Sequence, residues 1–136
     1  MSTHSTIWLK NNDNTFTGIY CHNDGYIENN GKILLMYYND LFSVKSLIDL
    51  GSLSSLQKYL STTLNHSFDN PAKDVTIAYH RDRGEDFCQY KNIDIKDLPK
   101  YYEEYNYLFI DGEWQYIKSD ETNFKKLKDA IKNCKV

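Results

Sequence analysis

The chain has 136 residues, 40% hydrophobic and 15% aromatic, which fits one domain with one core and is too apolar for a disordered tail. Sixteen Lys and Arg against 19 Asp and Glu leave a net charge of −3, a balance that argues against general nucleic-acid binding through phosphates. Twelve tyrosines supply much of the apolar area, each with a hydroxyl that needs water or a partner.

Cys21, Cys88 and Cys134 are odd in number and widely spaced, without a zinc spacing or a Cys-x-x-Cys. Free thiols in a reducing cytosol are expected. The first residues lack a basic and apolar signal segment, and no run of 18 apolar residues exists. Neither export nor a membrane span is expected.

In chain order, Ile7 to Lys10 reads as a strand, Asn11 to Asn14 as a turn, and Thr15 to Tyr20 as a second strand. Cys21 to Tyr26, with Asp24-Gly25, ends that hairpin in a tight turn. Ile27 to Tyr38 reads as a helix beginning near Asn29 or Asn30. Asp40 is placed to cap a helix with Leu41, Val44, Leu47, Ile48 and Leu50 on one apolar face, and Gly51 stands where a glycine cap belongs. Ser52 is expected to cap a short helical turn through Leu53, Leu56, Tyr59 and Leu60.

Asn65 to Pro71 reads as a loop pinned by Phe68. Val75, Ile77 and Tyr79 alternate with Thr76, Ala78 and His80, the period of a strand. Cys88 to Leu98 is weakly patterned, and Leu98 to Tyr105 reads as one helical piece. Tyr107 to Ile110, Asp111-Gly112 and Glu113 to Ile117 form the clearest hairpin, because two β-rich runs flank Asp-Gly. Ser119 or Asp120 is expected to cap a last helix with Phe124, Leu127, Ala130 and Ile131. These elements predict a single α+β domain over residues 1–136, an antiparallel sheet with helices packed on one face.

Chemistry concentrates in three polar clusters, each where a strand or helix should end. They are His22, Asp24 and Tyr26; His66, Ser67, Asp69 and Asn70; and Tyr79 through Asp86. Six of the seven residues from His80 to Asp86 can ionise, which exceeds what a turn requires. Arg81 and Arg83, two apart, could clamp a phosphate or carboxylate, could pair with Asp82, Glu85 and Asp86 to shape the loop, or could do both together. Glu85, Asp86 and Asp69 could accept from a ribose or base, and Tyr79, Tyr26 or Phe68 could stack on one.

His22 with Asp24, and His80 with Asp82, share a face in extended chain, but no spacing matches a metal-ligand motif. Cys21 with a histidine, Ser67 with His66, or Asp69 with Asp82 could be set out as a hydrolase. Cys21 and His22 are adjacent and would point to opposite faces of a strand. A buried structural cysteine is the plainer account. No cofactor, metal ligand or catalytic residue is assigned. The candidate ligand-binding set is His22, Asp24, Tyr26, His66, Asp69, Asn70, Tyr79, His80, Arg81, Arg83, Glu85 and Asp86.

At these residues the chain resembles a family of small phage and prophage proteins. The likeness lies in Cys21-His22-Asn23-Asp24-Gly25-Tyr26, Gly31 to Leu35, Leu47 to Ser54, His66-Ser67-Phe68-Asp69-Asn70-Pro71, Ala78 to Asp86, and Tyr107 to Trp114. It covers roughly residues 15–117. Asn23 stands where the pattern has tryptophan and Ile27 where it has proline. The resemblance implies an accessory protein of a bacterial virus, acting in the cytoplasm of the infected host. Such a protein would blunt host immunity without catalysis. It would bind a defence protein such as a CRISPR effector, or the nucleotide signal of the defence system, as a monomer or a homo-oligomer. The competing expectation is a small metal-assisted hydrolase of a nucleotide or phosphoester.

Overall fold

The computed structural model of the chain describes residues 3–61 and 65–134, with side chains to residue 131. The side chain of Cys134 lies outside the described residues. β1 (Ser5–Lys10) is buried along its length except at Lys10, so it needs neighbours on both edges and cover on both faces. It pairs antiparallel with β2 (Thr15–Cys21) and parallel with β6 (Tyr105–Ile110). β7 (Glu113–Lys118) follows β6, and β8 (Lys125–Lys126) closes that side. The other edge of β2 takes β5 (Tyr90–Asp94) near its start and β3 (Leu53–Ser55) at its end, and β3 carries β4 (Ile77–Ala78). One eight-stranded sheet results, antiparallel except at β1–β6 and β2–β3. The fold is α+β, with a mixed rather than a purely antiparallel sheet.

Helices α1 (Lys32–Tyr37), α2 (Leu41–Ile48) and α4 (Leu127–Cys134) cover one face. Leu34, Val44, Leu47, Ile48 and Leu127 pack there against Ile7, Ile19, Leu53 and Tyr107. On the opposite face, Trp8, Phe16, Leu108 and Ile117 lie under a 3₁₀-helix, Ile95–Tyr101. Its Leu98 is fully buried, a contribution of about 2 kcal/mol. Trp8 and Gly18 are register partners, and a Cβ on Gly18 would fall 2.4 Å from the indole. The glycine is therefore required by close approach.

Local turn chemistry holds where it was readable. Asp111 and Gly112 have φ of +52° and +81°, the paired positive values of a tight hairpin. Asp40 caps α2 by accepting from the Ser43 N–H at 2.7 Å. The Gly51 N–H bonds the Ile48 carbonyl behind that helix.

Five expectations are corrected. Leu53 to Ser55 is strand, because Leu53 pairs with both Cys21 and Ala78 and this two-sided pairing outweighs helical spacing. The strand opened by Val75 ends at Ala78, and Tyr79–Arg83 is a short helix, α3. The cause is Asp82, whose carboxylate folds back to accept the Ala78 N–H at 2.8 Å. Residues 27–31 make a π-helical turn, and α1 begins only at Lys32. Leu41 is 62% exposed and lies off the apolar face of α2. The last helix begins at Leu127, because Glu121 accepts the Lys118 N–H and draws the chain into a turn first. Phe124 then packs on the opposite sheet face.

Candidate functional site

The charged run folds as α3 and the residues after it. Arg81 lies at its centre. Its Nε donates to Asp82 Oδ1 at 2.9 Å and its Nη2 to Asp82 Oδ2 at 3.0 Å. Nη2 also donates to the Thr76 carbonyl, and Nη1 to the Leu60 carbonyl. The guanidinium thus ties three chain segments together. Arg83 pairs with Glu85 at 3.1 Å and lies 4.7 Å over the Phe68 ring. Both arginines therefore pair within the run, Arg81 with Asp82 and Arg83 with Glu85.

His66 closes the knot from the preceding loop. Its side chain is wholly buried, and Nδ1 accepts the Ala72 N–H at 3.0 Å, which places the ring proton on Nε2. That nitrogen stands 3.2 Å from Asp82 Oδ2 without hydrogen-bond alignment, so the contact is electrostatic. Burial alone would raise the Asp82 carboxyl. Arg81, the Ala78 N–H and His66 outweigh it and hold the group below its ordinary value.

The second and third clusters therefore meet. Phe68 packs on Tyr79 at 5.7 Å, and Ser67 bonds the Asn70 backbone. Asp69, Asn70, His80, Glu85 and Asp86 are exposed, and His80 Nδ1 meets the Glu85 carbonyl at 2.8 Å. The first cluster lies across β3, whose Leu53 carbonyl receives the His22 N–H while its neighbour Ser52 receives the Tyr79 N–H. Asp24 and Tyr26 are exposed there. His22 joins partners that sequence reading missed. It stacks on His4 at 4.6 Å and meets the Tyr20 hydroxyl at 2.8 Å, and His4 lies 3.8 Å from Glu103. Burial, with Glu103 nearby, pushes Tyr20 up to about 12. His22, His66 and His80 thus occupy three separate environments. Among the described residues no group of three or more His, Cys, Asp or Glu side chains is arranged to hold a metal ion.

A second missed feature surrounds the junction of α1 and α2. Tyr38 turns inward, its carbonyl accepting from Trp114 Nε1 and its hydroxyl donating to the Gln57 carbonyl. With the junction so fixed, Met36, Tyr37, Leu41, Phe42 and Tyr59 face outward, Phe42 being 81% exposed. A groove of about 400 Å³ lies among Tyr37, Phe42, Lys58 and Tyr59. Lys58 Nζ is 5.2 and 5.1 Å from the Tyr37 and Tyr59 ring centres. A hydrogen bond to the Tyr59 side chain, with the Tyr59, Tyr37 and Asp74 groups nearby, holds that ammonium above its ordinary value. Leu41 flanks a second hollow of about 490 Å³ over Leu9 and Phe109. A sequence signal existed in the two adjacent apolar residues that open α2, one of which must face away from the core.

No helix among the described residues is long and apolar enough to cross a membrane. In comparisons with protein-family models, curated proteins and solved structures, nothing matches the chain.

Proposed function

We propose that this chain is a phage-type accessory protein that inhibits a host defence system without catalysis, by docking on a protein of that system. The exposed aromatic surface at the α1–α2 junction carries the reading. Tyr and Phe are enriched in protein interfaces, and Tyr37, Phe42 and Tyr59 gather around one groove where scattered single exposures would not. The junction beneath is rigid, tied through Tyr38 to Trp114 and Gln57, so little ordering cost attends binding. The phage resemblance supplies the viral context. Arg81 is engaged within the fold, which favours the protein version over a nucleotide clamp.

The test is phage plating on bacteria that carry defined defence systems, a CRISPR effector among them, with the chain expressed. One system should lose protection. The double variant Phe42→Glu with Tyr59→Glu should keep its melting temperature and restore that protection. A double variant that inhibits as well as the wild type would overturn docking through this surface. Calorimetric binding of a nucleotide signal by that same variant would point to sequestration instead.

A further inference from the structure

We propose that the groove beside α2 takes a carboxylate side chain of the protein partner, with Lys58 as its counter-ion and an apolar partner residue seated against Phe42. This rests on the docking reading and names the chemistry of that same surface.

Lys100, Lys125, Lys126 and Lys128 each lie within 4 Å of a carboxylate. Several other lysines, Lys45 and Lys73 among them, have no such pair among the described residues, and what sets Lys58 apart is its place at the wall of a groove between two rings. Lys58 forms no ion pair among the described residues, although Asp74 acts on it from farther away. Two tyrosine rings hold the ammonium in place instead. An ammonium already ordered at the wall of a groove loses less rotamer freedom when an anion arrives.

The rest of the lining favours the same ligand. Among the described residues no aspartate or glutamate lines the groove. Ser43 and Ser46 present hydroxyls one turn apart on α2, and Tyr37 and Tyr59 present two more. The Tyr38 hydroxyl is engaged with the Gln57 carbonyl and does not compete. Hydroxyl donors around one cation suit a singly charged acceptor with two oxygens. A phosphate of higher charge would call for more than one cation.

The surface also extends past the groove. Met36 and Leu41, 54% and 62% exposed, lie outside its lining but adjoin the groove residues Tyr37 and Phe42 in the chain and add apolar area there. That reach is too wide for a small anion and fits an acidic side chain set among apolar neighbours on a protein.

The experiment uses the full chain labelled with ¹⁵N and two capped peptides, acetyl-Phe-Glu-Leu-amide and its Gln counterpart, each titrated by NMR. Inorganic phosphate and AMP are the further arms. The expected result is shifts at Phe42, Ser43, Ser46, Lys58 and Tyr59, with the Glu peptide about tenfold tighter than the Gln peptide, the ratio one charge-assisted contact gives. Lys58→Met should erase that ratio and leave the weaker apolar binding, while Phe42→Ala should weaken both peptides.

Equal binding of the two peptides, no binding of either, or a ratio that survives Lys58→Met would overturn the proposal. So would tighter binding of phosphate or AMP than of the Glu peptide. Concentration-dependent self-association in sedimentation, lost in Phe42→Glu, would assign the groove to a second copy instead. The plating assay fails separately. Inhibition that needs Phe42 while the peptides bind equally would keep docking and reject the carboxylate. Selective peptide binding with inhibition indifferent to Phe42 would do the reverse.

Discussion

Arg81 and Asp82 are neighbours in sequence and also form a two-pronged pair, with Nε 2.9 Å from Oδ1 and Nη2 3.0 Å from Oδ2. Adjacent residues on a regular helix point about 100° apart. Here the carboxylate folds back over the start of a five-residue helix to reach the Ala78 N–H, and the guanidinium follows it. The pair fixes where the strand ends.

Arg81→Ala should therefore act on stability first. It leaves Asp82, 4% exposed, without its main counter-ion. Removing one partner of a buried pair costs about 3–5 kcal/mol, and the 26% exposure of Arg81 lowers the expectation to about 2–3 kcal/mol. Arg83→Ala breaks a pair about half exposed on both sides and should cost under about 1 kcal/mol. Urea unfolding of both variants checks the contrast. Equal midpoints would show that the Arg81 pair does not hold the run.

The acid side of the stability profile should carry the signature of Asp82. Its folded carboxyl titrates below the ordinary 3.8, so the unfolded chain binds the extra proton as pH falls. The contribution is fully present above about pH 5 and is lost as pH drops through 3.8 toward the folded value. Asp13, Asp40 and Glu121 are shifted in the same direction, so the difference between wild type and Asp82→Asn is the informative quantity. The variant should be less stable at pH 7, and the gap should narrow between pH 5 and pH 3. A constant gap would exclude Asp82 as the source.

Gly18→Ala should be among the most damaging small changes in the sheet. Its Cβ would fall 2.4 Å from the Trp8 ring and 2.9 Å from the Ile7 carbonyl. Trp8 is fully buried and its Nε1 donates to Thr6 Oγ1, so the ring cannot swing aside without breaking that bond. Overpacking of this kind costs about 3 kcal/mol. Thermal unfolding of the variant reads it directly. A melting temperature unchanged from wild type would mean that the β1–β2 register is wrong.

What could be read in the sequence was what a few adjacent residues decide. Asp111-Gly112 set a hairpin by their own backbone preferences, and Asp40 capped α2 through a side chain three residues from its donor. Leu53 could not be placed that way. Its neighbours Cys21 and Ala78 are distant in sequence, and they made a strand of a stretch with helical spacing. The same limit applied at the sites. His22 was identified, but its partner His4 and the adjoining Glu103 meet only because β1 lies beside β6. Phe42 beside Leu41 signalled an apolar residue off the core face of α2, but Tyr37 and Tyr59 resemble core residues in a linear pattern, and the inward turn of Tyr38 is what shows that they join Phe42 at the surface.

Tyr38 is the residue at which fold and proposed surface join. Its carbonyl receives Trp114 Nε1 at 2.6 Å, and its hydroxyl donates to the Gln57 carbonyl at 2.8 Å, one residue before Lys58. Tyr38→Phe removes the hydroxyl's contacts to the Gln57 and Lys58 carbonyls and leaves the Trp114 bond in place. The Thr76 hydroxyl still donates to the Gln57 carbonyl, so the lost hydroxyl contacts should cost about 1 kcal/mol, a fall of about 4 °C in melting temperature for a chain of this size. The Trp114 bond and the ring's packing remain, so the core should stay intact. The strand of chain from Gln57 to Tyr59 should loosen, and Lys58 should leave its place between the two rings. Amide exchange should quicken at residues 57–59 while Leu108 and Trp114 keep their protection. Uniform quickening across both sites would show that Tyr38 serves the core as a whole and does not specifically hold the groove wall.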